Sequence, residues 1–375
     1  MNSYIVVGAG ILGATAAFQL AKSGAKVTLI DREEKGKATN AAAGIVCPWL
    51  SQRRNKAWYQ LAKGGAKYYP SLIAELEAEG ETETGYVKVG AISLQTDEGK
   101  LDKMEERVRK RLSEAPEIGE VTRLSPKETK AFFPLLSEEF GSIHVSGAAR
   151  VNGKALCEAL ISAAKKNGAT YIQADAQLTF EGNQVTGVQY EGNTLEANQV
   201  LVTAGAWAKE LLQPLGIHFK IEPQKAQIIH LDQQKSETNS WPVVMPPSNQ
   251  YMVAFEGGRI VVGATHEDDR GFDRRVTAGG VHEILDKALK VAPELEDSTI
   301  AEIKVGFRPV APNFLPVIGE VPYYQGLLVA NGLGSSGLTV GPYLGDELAK
   351  IALGKKTEIN LELYDTASAI ELANE

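Results

Sequence analysis

The sequence predicts an α/β fold, a parallel sheet wrapped by helices, joined to a second unit of α+β type built on an antiparallel sheet. Two observations carry this. At the start, a buried-strand run Tyr4–Val7 passes through glycines into a helical run and then a second apolar strand, Lys26–Ile30. That strand–helix–strand rhythm belongs to parallel sheets. Between about 217 and 265 the pattern changes to strand after strand, with Gly257-Gly258 as a hairpin turn between two of them.

The first strand runs into Gly8-x-Gly10-x-x-Gly13, and Ala14, Ala17, Phe18 and Ala21 then share one face of a helix. Gly8 makes the tight turn, Gly10 lets backbone approach a pyrophosphate, and Gly13 lets the helix close on the strand. Such a loop offers unpaired N–H groups and the positive end of a helix to phosphates. The second strand ends in Asp31, placed to accept ribose hydroxyls. Asp31 argues against a 2′-phosphate, whereas Arg32 beside it keeps an NADP reading open.

Residues 36–47 are small and polar, then apolar, and suit close approach to a planar ligand. Lys56 to Glu79 reads as a helix with Trp58, Leu61, Tyr68, Tyr69, Leu72, Ile73 and Leu76 inward. Tyr86 to Leu94 reads as one strand. Glu98 to Ala115 is a charged helix burying Leu101, Met104, Val108 and Leu112, its basic residues forming a solvated face. Ser125-Pro126 starts a helix. Lys154 to Asn167 is a helix returning through strand 168–172, and Val185–Tyr190 with Thr194–Asn198 forms a small ribbon. Strand 198–203 then enters a glycine turn at Gly205. Strands follow at Ile217–Gln224, Ala226–Leu231, Tyr251–Glu256 and Arg259–Thr265, then a helix Thr277–Val291, glycine-rich turns and a last helix Gly337–Leu353.

A chain of 375 residues holds one or two sizeable cores. A formal charge of −8 excludes the basic stripe of a nucleic-acid binder, and an anionic substrate therefore needs a local cation. Cys47 and Cys157 have no metal-ligand spacing, so no metal is expected. The N-terminus lacks a basic leader and no apolar run spans a bilayer. A cytoplasmic location is expected, with peripheral membrane contact and a homo-oligomer both compatible.

Seven blocks in order give the chain a resemblance to the D-amino-acid oxidase superfamily of FAD-dependent amine oxidoreductases, nearest its glycine oxidase and D-amino-acid dehydrogenase branches. They are Gly8-x-Gly10-x-x-Gly13, Thr39-x-Ala41-Ala-Ala-Gly44, Gly147-Ala-Ala-Arg-Val-Asn152 and Ala204-Gly205-Ala-Trp207. Tyr251 with Gly258-Arg-Ile-Val-Val-Gly263-Ala-Thr265, Gly306-Phe-Arg308-Pro309 with Pro316-Val-Ile-Gly319, and Ala330-Asn-Gly332-x-Gly334-Ser-Ser-Gly337 complete them. The resemblance implies a Rossmann-like FAD-binding domain assembled from 1–85, 142–215 and 300–375. A second α+β substrate domain, from 86–141 and 216–299, is then built on the antiparallel sheet.

The cofactor it implies is FAD, held non-covalently. The expected contacts are Gly8, Gly10, Ile11, Leu12, Gly13, Asp31, Arg32 and Thr39, then Ala43, Gly44 and Ile45 along the flavin, and Gly205. Gly332, Gly334, Ser335, Ser336, Gly337 and Leu338 lie beneath its pyrimidine edge in this reading. A helix N-terminus there would stabilise the negative charge that hydride arrival leaves.

The implied substrate is a small carboxylated amine, glycine, a D-amino acid or an N-substituted amino acid. Arg308 matches the arginine that grips its carboxylate, and Tyr251 a tyrosine facing the flavin. Hydride transfer from the amine-bearing carbon to flavin N5 gives an imine that hydrolyses to an oxo acid, with dioxygen or a quinone-type carrier as electron acceptor. The sequence departs from glycine oxidase at Ser335, where that enzyme carries a second arginine, which turns the expectation from glycine toward a secondary or larger amine. His266 and Cys47 read as structural. A flavin-carrying electron-relay subunit and a nicotinamide-dependent dehydrogenase are the competing readings.

Overall fold

The computed structural model describes residues 2–233 and 237–372. Residues 1 and 373–375, at the outer ends of the expected cofactor-domain segments, and 234–236, within the expected substrate segment, lie outside them.

Strand Ser3–Val7 lies inside a six-stranded sheet ordered Val317–Glu320, Leu327–Asn331, Gln199–Val202, Ser3–Val7, Lys26–Asp31, Thr170–Gln173. Neighbours pair in parallel except at the Val317–Glu320 edge. Tyr4 to Val7 are buried without alternation, because both faces of the sheet are covered: Tyr4 and Val6 pack with the long helices, Ile5 and Val7 with Leu178, Val185 and Val188 of the antiparallel ribbon and with the short helix at Ala208–Leu212. Helix Ile11–Lys22 is buried on more than the one expected face, since Ala14, Ala16, Ala17 and Phe18 are all fully enclosed. Its small residues admit helix Gly153–Lys166 on one side and helix Gly337–Ala352 on the other.

The contact with Gly337–Ala352 is backbone to backbone. A Cβ on Gly345 would lie 2.5 Å from the Leu12 carbonyl oxygen and 2.7 Å from Thr15 Cβ. One on Gly341 would lie 2.7 Å from Ile11 Cγ2. The two glycines thus set how closely two helices from opposite ends of the chain approach.

The second sheet has eight strands, ordered Thr299–Val310, Glu222–Asp232, Arg259–Gly263, Tyr251–Ala254, Val243–Met245, Ala91–Gln95, Gly141–Val145, Val121–Leu124. It is antiparallel apart from the pairing of Val243–Met245 with Ala91–Gln95. Strands Gly141–Val145 and Thr299–Val310 both pair here, at residues where the expected domain boundaries of 142 and 300 fall.

Several elements differ from the sequence reading. The strand expected over Ile217–Gln224 is divided: Ile217–Phe219 pairs with Ile370–Leu372, its apolar residues buried under the parallel sheet, while Glu222–Asp232 runs unbroken in the second sheet. The strand expected at Tyr86–Leu94 breaks into Val87–Lys88 and Ala91–Gln95 at Gly90 (φ +74°), where His144 leaves no room for a side chain. The ribbon gains a third strand, Gln177–Glu181. Tyr68 and Leu112 are half-buried rather than core. Tyr68 lies at an edge where its hydroxyl accepts from Gln19 Nε2 at 3.0 Å.

Gly345→Val should lower stability by about 3 kcal/mol, because the clash is with backbone and the helices must separate. Gly279→Ala, in a helix where a Cβ meets nothing within 4 Å, should raise it by about 0.5 kcal/mol. Denaturant midpoints at constant m-value check the pair; equal shifts would contradict the packing described.

Candidate active site

At the carboxyl ends of the parallel strands, where open α/β sheets bind ligands, a cavity of about 620 Å³ runs between the two sheets. Its chemistry begins with two helix ends. Helices Lys56–Ala78, Glu98–Leu112, Pro126–Phe132, Gly153–Lys166 and Ala278–Val291 are capped by Asn55, Asp97, Ser125, Asn152 and Thr277 side chains. Helices Ile11–Lys22 and Gly337–Ala352, whose first residues line the cavity, begin at Gly10 and Ser336 without such a cap. The Ile11 N–H is met from outside by Thr39 Oγ1 at 3.1 Å. A first turn without a cap leaves N–H donors and partial positive charge for a bound anion. One cavity receives both.

At one end, Asp31 is buried beneath the glycine loop. Its Oδ2 accepts from the Ala9 N–H at 2.6 Å, and its Oδ1 accepts from the Glu33 N–H at 2.5 Å and pairs with Lys37 Nζ at 2.6 Å. Arg32 is bridged to Glu34, Asp175 and Glu210 at 3.2, 3.3 and 3.1 Å. That ring of carboxylates consumes the charge a 2′-phosphate would need, and removes the opening Arg32 left for NADP.

The middle is walled by Ala41 to Ile45. Gly44 has φ +87°, and a Cβ there would lie 1.9 Å from the Val151 carbonyl oxygen, so only glycine fits between cavity and backbone. Cys47 lines this wall; burial pushes its thiol up to about 12, which keeps it protonated and unreactive. Among the described residues no cluster of side chains is arranged for a metal ion.

At the other end Arg308 and Tyr251 line the cavity, both half-buried. Arg308 Nη1 donates to Gln224 Oε1 at 3.2 Å and to the Thr265 carbonyl at 3.3 Å. Among the described residues no carboxylate lies within 4.0 Å of it. Burial holds the Arg308 guanidinium below its ordinary value, with the Tyr251 hydroxyl opposing that shift. Burial likewise pushes the Tyr251 phenol up, against the pull of Arg308. His266 also lines this end, and burial, followed by the charge of Arg308, holds it below the usual imidazole range.

Of the residues singled out from sequence, Gly8, Gly10, Ile11, Leu12, Asp31, Arg32, Thr39, Ala43, Gly44, Ile45, Gly205, Tyr251, Arg308, Gly334, Ser335, Ser336, Gly337 and Leu338 line this one cavity. Gly13 and Gly332 do not. A Cβ on Gly13 would lie 1.9 Å from the Gly8 carbonyl oxygen, so Gly13 closes helix on loop from behind. Gly332 makes a turn (φ +81°) against Ala311. Sequence reading passed over Lys37 and Arg53, which also line the cavity. Lys37 follows Asp31 by six positions in the small-residue stretch, a spacing that offered a signal; Arg53 sits in a polar loop that offered none.

The family model for FAD dependent oxidoreductases, DAO, matches residues 3–351. The uncharacterized oxidoreductase YurR of Bacillus subtilis is 63% identical, over 99% of this chain and all of its own length. Glycine oxidase of Pseudomonas aeruginosa is 29% identical, over 98% of this chain and 99% of its own. The crystal structure of iminodiacetate oxidase (IdaA) from Chelativorans sp. BNC1 superposes with a TM-score of 0.94 at 45% identity, over 96% of this chain and 98% of that one.

Gly44→Ala should fold yet lose flavin, because the left-handed backbone and the Val151 contact push the wall into the cavity. The ratio of flavin to protein absorbance in the purified variant should fall severalfold; full retention would contradict the geometry.

Proposed function

The chain belongs to the DAO family of FAD dependent oxidoreductases, and on that premise we propose that it oxidises the C–N bond of a small carboxylated amine, a secondary, N-substituted amino acid in preference to glycine. It is an FAD enzyme. The residues fit that cofactor: Asp31 and Lys37 stand at the ribose end, the uncapped Ile11–Lys22 terminus suits a pyrophosphate, and Ala43 to Ile45 admit a flat ring. The uncapped Gly337–Ala352 terminus suits the electron-rich edge of a flavin. Both thiols are buried, which supports non-covalent binding.

When bound, FAD supplies a hydride acceptor at N5 and passes the electrons on to dioxygen or a quinone-type carrier. The protein's part is positioning. A half-buried guanidinium with only neutral oxygen acceptors is an incomplete ion pair, and a carboxylate completes it. That unpaired Arg308 is the observation on which the reading rests. It also opposes an electron-relay subunit, which has no use for an open cation in its flavin cavity. With the carboxylate fixed, the substrate's amine and adjacent carbon are held at a set distance from Tyr251 and the cavity wall. A neutral amine loses a hydride from carbon and a proton from nitrogen; water then adds to the imine, releasing an oxo acid and the amine.

Two features support the N-substituted choice. Ser335 stands exposed where a second arginine would favour glycine, and the named oxidase of iminodiacetate is similar over nearly the whole chain. We further propose the expected two-domain division with its boundaries moved, so that Gly141–Val145 and Thr299–Val310 join the substrate domain whose sheet they extend. A peripheral membrane contact stays outside the proposal; no helix among the described residues is long and apolar enough to cross a membrane.

Anaerobic mixing with glycine, D-alanine, N-methylglycine and iminodiacetate tests the reading. Bleaching of the flavin should be fastest with the N-substituted acids, and air should show whether dioxygen restores the colour. Arg308→Lys keeps the charge but loses the fork, and should lower kcat/KM by about tenfold to a hundredfold, mostly through KM. A variant with normal KM would contradict the role given to Arg308.

A further inference from the structure

We propose that Arg53 receives the second carboxylate of a dicarboxylated amine whose first carboxylate is held by Arg308, so that the cavity selects dianionic substrates. The proposal rests on the reading of Arg308 given above and deepens it. Among the described residues four Lys or Arg side chains line the cavity: Arg32, Lys37, Arg53 and Arg308. Arg32 and Lys37 are paired with carboxylates at the Asp31 end. Arg53 and Arg308 have no carboxylate within 4.0 Å among the described residues. The free positive charge is thus confined to two arginines from different parts of the chain.

Arg53 is exposed but not free to wander. Its guanidinium lies over the Trp58 ring, 4.7 Å from the centroid. The Trp58 indole N–H donates to Ser336 Oγ at 2.9 Å, next to Ser335. Arg53 therefore stands beside the glycine loop that lacks an arginine of its own at Ser335. A guanidinium held over an aromatic ring by cation–π attraction can still offer N–H donors to a carboxylate.

The loop carrying it is pinned as well. Arg111 Nη1 donates to the carbonyls of Trp49 and Ser51 at 2.5 and 2.7 Å, and the Arg53 N–H reaches Ser51 Oγ at 3.2 Å. His266 also lines this end, its imidazole held below the usual range by burial and by the charge of Arg308, and it is the rival that the test below separates from Arg53.

The test uses the flavin-loaded enzyme and two thioethers that have no amine to oxidise, followed by perturbation of the flavin spectrum. Thiodiacetate carries two carboxylates and (methylthio)acetate one. Arg53→Gln should weaken thiodiacetate binding at least about tenfold more than (methylthio)acetate binding, with Arg53→Lys recovering part of the difference. kcat/KM for iminodiacetate relative to N-methylglycine should fall in parallel. Equal losses for both thioethers, or a discrimination that follows His266→Gln instead of Arg53→Gln, would overturn the proposal. If the unmodified enzyme binds neither thioether and Arg308→Gln changes nothing, the Arg308 reading itself fails, and this one with it.

Discussion

The organising constraint of this molecule is the glycine contact between helices Ile11–Lys22 and Gly337–Ala352. More than three hundred positions separate them in sequence, yet Gly341 and Gly345 bring their backbones together. Because each follows a strand of one parallel sheet, both N-termini emerge at the same edge. Neither start is capped by its own side chain, while five other helices are. Leaving a cap out costs about 1 kcal/mol, and here it leaves two sets of N–H donors directed at one cavity. A side chain at Gly345 would wedge the pair apart and separate the two halves of the site.

Opposite that pair, the eight-stranded sheet brings a different kind of charge. Arg308 sits on strand Thr299–Val310, supported by Gln224 from the neighbouring strand and by the Thr265 carbonyl. The same edge buries Lys225 completely, held by Asp273 at 3.1 Å and the Arg275 carbonyl at 2.8 Å. One cation is satisfied internally and its neighbour on the paired strand is left open to the cavity. That contrast separates a fixing point of the loop beyond Thr265 from a group placed to meet a ligand. Acidic side chains ring the far end around Arg32, so among the described residues the cavity's arginines without a carboxylate partner are Arg53 and Arg308.

Much of this was legible in the sequence, and the limits are physical. The strand, glycine turn and helix at the start, the strand ending in Asp31 and the long helix from Lys56 are local patterns, and as elements they form where read, with Tyr68 half-buried instead of core. The ordered blocks named residues from both ends of the chain that the structure gathers around one cavity. The Thr299–Val310 strand was missed because its first half is polar and exposed, with Glu302 and Lys304 where apolar alternation would be sought. Its partner was split in reading because Pro223 and Lys225 interrupt the apolar run, and only the tertiary contacts of Lys225 explain a lysine inside a buried strand. Arg53 was invisible for a similar reason: its position depends on Trp58 and Ser336, which no spacing along the chain connects.

The claim beneath all of this is that one cavity, closed by two uncapped helix starts, holds a flavin within reach of an unpaired arginine. A crystal structure of the purified protein with thiodiacetate tests it most directly. The account predicts FAD running from Asp31 to the Gly334–Leu338 turn, with a carboxylate of the thioether on Arg308. Flavin bound elsewhere, no flavin at all, or the acid bound away from Arg308 would contradict it.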